Sequence, residues 1–200
     1  MRRLLILAFL LVVSALSYGQ SKEKDINKVG FKFDINSSVI LGGDIPDTSE
    51  IGAKTGFSAG LFYREALGGI FGGQIEVRYV QMGGIAKQKG FEDVSILLDY
   101  LRLGAQFKLY PLTSTLGANA FLGFEYGLLL SANQQVGDEQ KVDIADLYKS
   151  SDYGIHAGIG LDFDFGLTTD LRIYLGVADI TETSLSARNM SIQYHLGWGF

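Results

Sequence analysis

The 200 residues contain no cysteine, two prolines and two histidines. Without cysteine, a disulfide framework and a lipid-modified amino terminus are both excluded. Basic residues are also in deficit, 17 Lys plus Arg against 22 Asp plus Glu, for a net charge of −5. Such a chain is a poor ligand for nucleic acid. Long apolar runs are missing beyond Leu4 to Val13, which is shorter than the ~20 residues a membrane-spanning helix requires. That run follows Arg2 and Arg3 and precedes the small residues Ser17 and Gly19. The pattern predicts a signal peptide over residues 1–19, cleaved before Gln20, and a single domain over 20–200.

What the chain has in quantity is glycine, 26 residues, and aromatic residues, 12% of the total. At 47% hydrophobic the chain is not disordered, and its glycines have no three-residue period. Its apolar residues alternate. In the last eleven, Met190, Ile192, Tyr194, Leu196, Trp198 and Phe200 share one face of an extended strand, against Ser191, Gln193, His195, Gly197 and Gly199. The same reading places strands from Val29 to Leu41, Thr55 to Arg64, Ile70 to Met82, Ser95 to Tyr110, Ala118 to Leu130, Tyr153 to Phe165 and Asp170 to Ala178. Segments Gly83 to Val94 and Ser131 to Asp152 read as loops. Connections alternate between short and long, as between the periplasmic turns and extracellular loops of outer-membrane barrels.

Two all-β architectures fit this alternation. A soluble sandwich would turn long polar side chains to water, whereas here the polar faces are rich in glycine, which suits the narrow lumen of a closed barrel. Aromatic residues also collect near the strand ends, as membrane-interface belts do. The reading is a monomeric, eight-stranded, antiparallel, up-and-down transmembrane β-barrel of the cell outer membrane. Its partners would be outer-membrane lipid and, during biogenesis, the insertion machinery. Tyr194, Trp198 and Phe200 would form the carboxy-terminal insertion signal.

Several segments together resemble the PorT-like outer-membrane β-barrel family of Bacteroidetes: DYLRLGAQFKLYPL (Asp99 to Leu112), ANAFLGFEYGLLL (Ala118 to Leu130), LYKSSDYGIHAGIGLDF (Leu147 to Phe163) and LRIYLGVADIT (Leu171 to Thr181). The resemblance covers essentially the whole mature chain. The fourth strand departs from it, with Arg102, Leu103 and Gly104 where the family commonly has Glu-Ile-Pro. The resemblance implies an envelope protein. For some relatives it implies a part in gliding motility or type IX secretion, and hence envelope or secretion-complex partners.

Motifs for catalysis are weak. Gly56-Phe57-Ser58-Ala59-Gly60 spells the pattern of a hydrolase nucleophile elbow, which needs a strained turn between strand and helix; here it lies inside an alternating strand. His156 and His195 fall at different depths by this reading, so they would not share a metal. Phosphate-binding, dinucleotide and EF-hand patterns are absent. The expectation is no catalytic, cofactor or metal site.

The credible constellation is charge on the inward faces. Parity directs Glu76, Arg78, Arg102, Glu125, Asp162, Asp164 and Arg172 inward, together with Lys32, Asp34, Arg64 and Lys108. Buried charges must be paired or hydrated, so these predict a compensating network that fills the lumen. Asp44, Asp47, Glu50, Asp138, Glu139, Asp143, Asp146 and Asp152 read as an acidic outer rim. The functional expectation is a structural or interaction role (adhesion, envelope or secretion accessory) through the extracellular loops. A narrow ion or solute channel and a lipid-modifying enzyme are the alternatives.

Overall fold

A computed structural model describes residues 27–42, 49–88, 90, 92–111, 117–137, 139–183 and 186–200. The expected signal peptide and the rim acids Asp44, Asp47 and Asp138 lie outside the described residues. Ten strands form one antiparallel sheet: β1 (Lys28–Gly42), β2 (Ser49–Gly52), β3 (Lys54–Gly68), β4 (Phe71–Gln88), β5 (Val94–Leu109), β6 (Ala118–Val136), β7 (Val142–Asp143), β8 (Ser151–Asp162), β9 (Leu167–Gly176) and β10 (Ala187–Gly199).

Eight of them close a ring. β1 pairs with β3 on one side and with β10 on the other, from Gly30 opposite Gly199 to Gly42 opposite Ala187. The remaining neighbours are β3–β4, β4–β5, β5–β6, β6–β8, β8–β9 and β9–β10. Closure leaves the ring no unpaired edge, which is what permits strands to cross hydrocarbon. The side-chain alternation explains the facing. Phe33, Ile35, Leu61, Leu103, Leu122, Ile159 and Leu196 are exposed on the outer wall, while Lys32, Asp34, Arg102 and His195, which alternate with them, are buried inside.

Aromatic residues form two outer belts. Phe71 and Phe107 (5.3 Å between centroids), Phe163 and Phe165 (5.3 Å), and Phe165 and Trp198 (5.9 Å) pair near the short turns. Phe57 and Tyr79 (5.9 Å) and Phe124 and Tyr153 (6.4 Å) lie further towards the other end. Tyr194, Trp198 and Phe200 are all exposed on this outer surface.

Lumen glycines make room for large partners. A Cβ on Gly158 would stand 2.5 Å from Phe121 Cζ, closer than carbon atoms can approach, so the ring occupies the space that the glycine leaves.

Three segments differ from the sequence reading. Most of the expected loop Gly83 to Val94 is a hairpin extension, with Gly83 opposite Leu97 and Ala86 opposite Val94. Alternation fades there because the interior itself turns apolar: Met82 and Leu98 are buried inside, so both faces of the hairpin carry apolar residues. The expected loop Ser131 to Asp152 begins with more of β6. A bulge puts Asp99 opposite Ser131 but Tyr100 opposite Leu129, shifting the period by one residue. The same segment then adds β7 and a 3₁₀ turn at Ala145–Leu147. Phe163, Asp164 and Phe165 leave β8 for a tight turn that ends at Gly166, whose φ of +111° favours glycine.

β4, β5 and β6 have 18, 16 and 19 residues, beyond the ~9–11 needed to span a bilayer, so they project past the barrel on the side of the long connections. β2 pairs with the β4 extension and β7 with the β6 extension.

Candidate functional site

The lumen is filled in two layers. The larger is ionic: Lys32, Arg64, Arg78, Arg102, Lys108 and Arg172 are buried with Asp34, Glu76, Glu125, Asp152, Asp162 and Asp170, six charges of each sign. Alternate residues of all eight ring strands face inward, so the sheet itself brings these side chains together.

Glu76 and Glu125 stand at the centre. Arg172 donates to both, from Nη1 to Glu125 Oε1 (2.8 Å) and from Nη2 to Glu76 Oε1 (3.0 Å), and also to Gln106 Oε1 (2.9 Å). Arg78 Nη2 donates to Glu125 Oε1 (2.5 Å) and its Nη1 to Asp34 Oδ2 (3.1 Å). Lys32 Nζ links Glu76 Oε1 (3.0 Å) to Asp170 Oδ2 (2.7 Å). Multiple charge-assisted bonds of this kind offset the cost of taking ions out of water.

Two further groups flank this centre. Towards the long connections, Arg102 Nη2 donates to Asp152 Oδ2 (2.5 Å), which also accepts from Tyr174 Oη (3.1 Å) and Asn189 Nδ2 (3.0 Å). The Arg102 guanidinium stacks 4.2 Å from the Tyr174 ring centroid. Towards the short turns, Asp162 is ion-paired with Arg64 and with Lys108 Nζ (2.8 Å). It also accepts from Tyr110 Oη (2.9 Å), Asn119 Nδ2 (2.9 Å) and Thr168 Oγ1 (2.6 Å).

The structure moves several assignments made from the sequence. Asp164 is not a lumen residue. It lies exposed in the turn after β8, because the strand ends at Asp162. Asp162 is opposite Thr168, and Arg172 is opposite Gly158. Asp152 is not part of an outer rim: β8 starts one residue before it, and its side chain is wholly buried against Arg102. Asp170 completes the network from β9. It is two residues before Arg172, so the parity that picked Arg172 would have found it.

Both histidines sit within the ionic layer, not at separated depths. His156 Nδ1 is 3.2 Å from Glu125 Oε1. His195 Nδ1 is 2.9 Å from Asp170 Oδ1, and its Nε2 is 3.1 Å from Asp34 Oδ2. Ser58 is 3.5 Å from Arg78 Nη1 and belongs to the straight run of β3, without the turn an elbow requires. No group of three or more potential metal ligands converges among the described residues.

The second layer is an apolar cap. Val80, Met82, Leu98, Tyr100, Ala132 and Tyr174 on the strands enclose Ile180 from the β9–β10 connection, and Ile144 and Tyr148 from the β6–β8 connection pack against them. Burial pushes the Tyr148 hydroxyl above its ordinary pKa, as a closed apolar site does. The two connections are latched to each other through Lys149 N to Ile180 O (2.9 Å) and Glu182 N to Leu147 O (3.0 Å).

Asp179 holds this latch from its exposed side. The Ala187 backbone N–H, the Lys149 ammonium and the Thr181 backbone N–H all donate to its carboxylate and lower its pKa. A lowered folded pKa means that the contribution is complete above the ordinary carboxylate range and is lost as pH falls through the lowered value. Asp179→Asn is therefore expected to speed amide exchange at Thr181 and Ala187 several-fold at neutral pH, with the barrel strands unchanged. Hydrogen exchange followed by mass spectrometry measures this, and unchanged protection at both amides would remove Asp179 from the latch.

Comparison with known proteins agrees with this geometry. The family model described as "Outer membrane protein beta-barrel domain" matches residues 19–182. No curated protein sequence matches. Among solved structures, Neisserial surface protein A superposes with a TM-score of 0.55 at 12% identity, covering 86% of this chain and 97% of that one. The attachment invasion locus protein Ail of Yersinia pestis gives 0.48 at 13% identity over 87% and 99% of the two chains. OprG of Pseudomonas aeruginosa gives 0.45 at 13% over 87% and 96%.

Proposed function

The chain belongs to the outer membrane protein β-barrel domain family and resides in the cell outer membrane, and from that premise we propose that it is a non-conducting, non-catalytic barrel that acts through its extracellular surface. The observation that carries this reading is the filled lumen. Twelve buried charges of balanced sign occupy the width of the barrel, and the apolar cap closes the outer mouth above them. An ion entering this path would have to displace paired charges and then cross an apolar layer, each at a cost of several kcal/mol. The projecting β4–β5–β6 extension, widened by β2 and β7, offers a partner its largest regular surface outside the membrane. Adhesion, envelope stabilisation and a secretion accessory role are the uses such a surface serves.

The resemblance of Asp99 to Leu112, Ala118 to Leu130, Leu147 to Phe163 and Leu171 to Thr181 to the PorT-like barrels of Bacteroidetes supports bringing an envelope or type IX secretion partner into the proposal. Export would use residues 1–19 as a signal peptide, and the insertion machinery would read Tyr194, Trp198 and Phe200. The folded unit would be a monomer. Crosslinking in intact outer membranes followed by purification identifies the partner and hence the process.

The competing reading is a narrow channel. In planar bilayers the wild-type protein is expected to be electrically silent, and Ile180→Ser, which introduces a hydroxyl into the cap but leaves the ionic layer in place, is expected to remain so. Reproducible single-channel steps that shift with Arg102→Ala would replace the interaction module with a transporter.

A further inference from the structure

The outer wall of the barrel is not uniformly convex. A groove of about 560 Å³ crosses β3 to β8, within the size range of ligand sites. Small residues form its floor: Gly73 has no side chain, and Ala105 stands between Ile75 and Phe124 in the register. Its walls are apolar, chiefly Leu67, Phe107, Leu122 and Phe124, all exposed to the surroundings of the barrel.

The groove runs obliquely. At its lower end Glu65, Gly73, Phe107 and Leu122 are successive register partners within a few residues of the short turns. At its upper end Ile155 is seven residues from the same end of β8. One end therefore lies at the periplasmic interface and the other deeper in the bilayer, the span that the first part of an acyl chain covers below its headgroup.

The lower end carries charge. Glu65 lines the groove beside the Tyr63 hydroxyl. Among the described residues its Oε2 has no hydrogen-bond partner and no lysine or arginine lines the groove. The backbone around it is fixed, since the Ala66 amide donates to Asn27 Oδ1 (3.0 Å). A carboxylate at the edge of hydrocarbon without a cationic partner is costly and favours any ligand that supplies one.

We infer that this groove is a binding site for an amine-headed phospholipid of the periplasmic leaflet. Its ammonium pairs with Glu65, and one acyl chain lies over Gly73 and Ala105. Hydrocarbon is as apolar as the groove, so burial alone does not select an occupant; chain packing fills the void, and the charge at the foot supplies the selection. An anionic headgroup without an amine meets only repulsion there.

The test compares spin-labelled phosphatidylethanolamine with spin-labelled phosphatidylglycerol on the full chain reconstituted in phosphatidylcholine vesicles, with folding verified by heat-modifiable mobility. The wild-type protein should hold the amine lipid several-fold more strongly. Glu65→Gln should bring the two lipids to parity, Glu65→Asp should retain much of the preference, and Ala105→Phe should lower the motionally restricted fraction of both. Equal association of the two lipids with the wild type, or a preference that survives Glu65→Gln, would overturn the site. Efficient disulfide crosslinking between copies through Ala105→Cys would assign the groove to a second copy of this chain instead.

Discussion

Arg172→Ala is expected to destabilise the barrel by about 3 to 5 kcal/mol, the cost of leaving buried charge uncompensated. Arg172 is fully buried and is shared by Glu76 and Glu125, the two carboxylates at the centre of the lumen. Its removal leaves six buried acids against five cations. Arg78 and Lys32 still serve Glu76, and Arg78 and Arg102 still serve Glu125, so rearrangement recovers part of the loss. Water entering the vacated space would recover more and bring the cost towards the lower figure. The coupling is directly measurable. Glu125→Gln in the Arg172→Ala background should cost less than Glu125→Gln alone, because the carboxylate it removes is already short of a partner. Urea unfolding in lipid vesicles gives the four stabilities of the cycle. A wild-type midpoint for Arg172→Ala would mean that the lumen is solvated and the network contributes no packing.

The sequence disclosed the architecture because a half-buried strand has a period of two, and here that period holds without interruption through the membrane. Phe31 to Ile35, Leu101 to Leu109 and Met190 to Phe200 each alternate cleanly, and each turns its apolar face outward. Where the surroundings of the two faces cease to differ, the signal disappears. Met82 and Leu98 point into an interior that is apolar at that height, so the upper β4–β5 hairpin looked like a loop. The bulge at Leu130 hid the rest of β6 in the same way, by moving the pattern one residue out of step.

Parity located most of the network but could not locate its ends. Asp152 stands one residue before the strand read from Tyr153 to Phe165, and Asp164 one residue before its end. One is the buried partner of Arg102 and the other is exposed in a turn. No local feature of the sequence separates them. The difference comes from the pairing of β8 with β6, which includes Asp152 opposite Gly127 and stops at Leu161 opposite Ala118. The cap was illegible for a related reason: Ile144, Tyr148 and Ile180 belong to polar connections, and only the closed barrel beneath gives them an apolar surface to cover.

The outward face of the wall is tested by placing a charge at a chosen height in it. Leu103 is exposed, lies opposite Val77 and Tyr126, and is six residues from the periplasmic end of β5 at Leu109. At the strand rise and tilt of such barrels that is about 15 Å, near the middle of an apolar band about 25 Å tall. Leu103→Arg should therefore cost about 2 to 4 kcal/mol, whereas the same change at the exposed Leu130, at the bulge towards the outer interface, should cost about 0 to 1 kcal/mol. Leu103→Ala separates lost contacts from the charge itself and should be mild, because lipid already surrounds the side chain and no internal cavity forms. Reversible unfolding from vesicles reads all three. An equal cost for arginine at Leu103 and Leu130 would contradict the membrane placement, since in water the two exposed positions would tolerate it alike, and only hydrocarbon makes the penalty depend on depth.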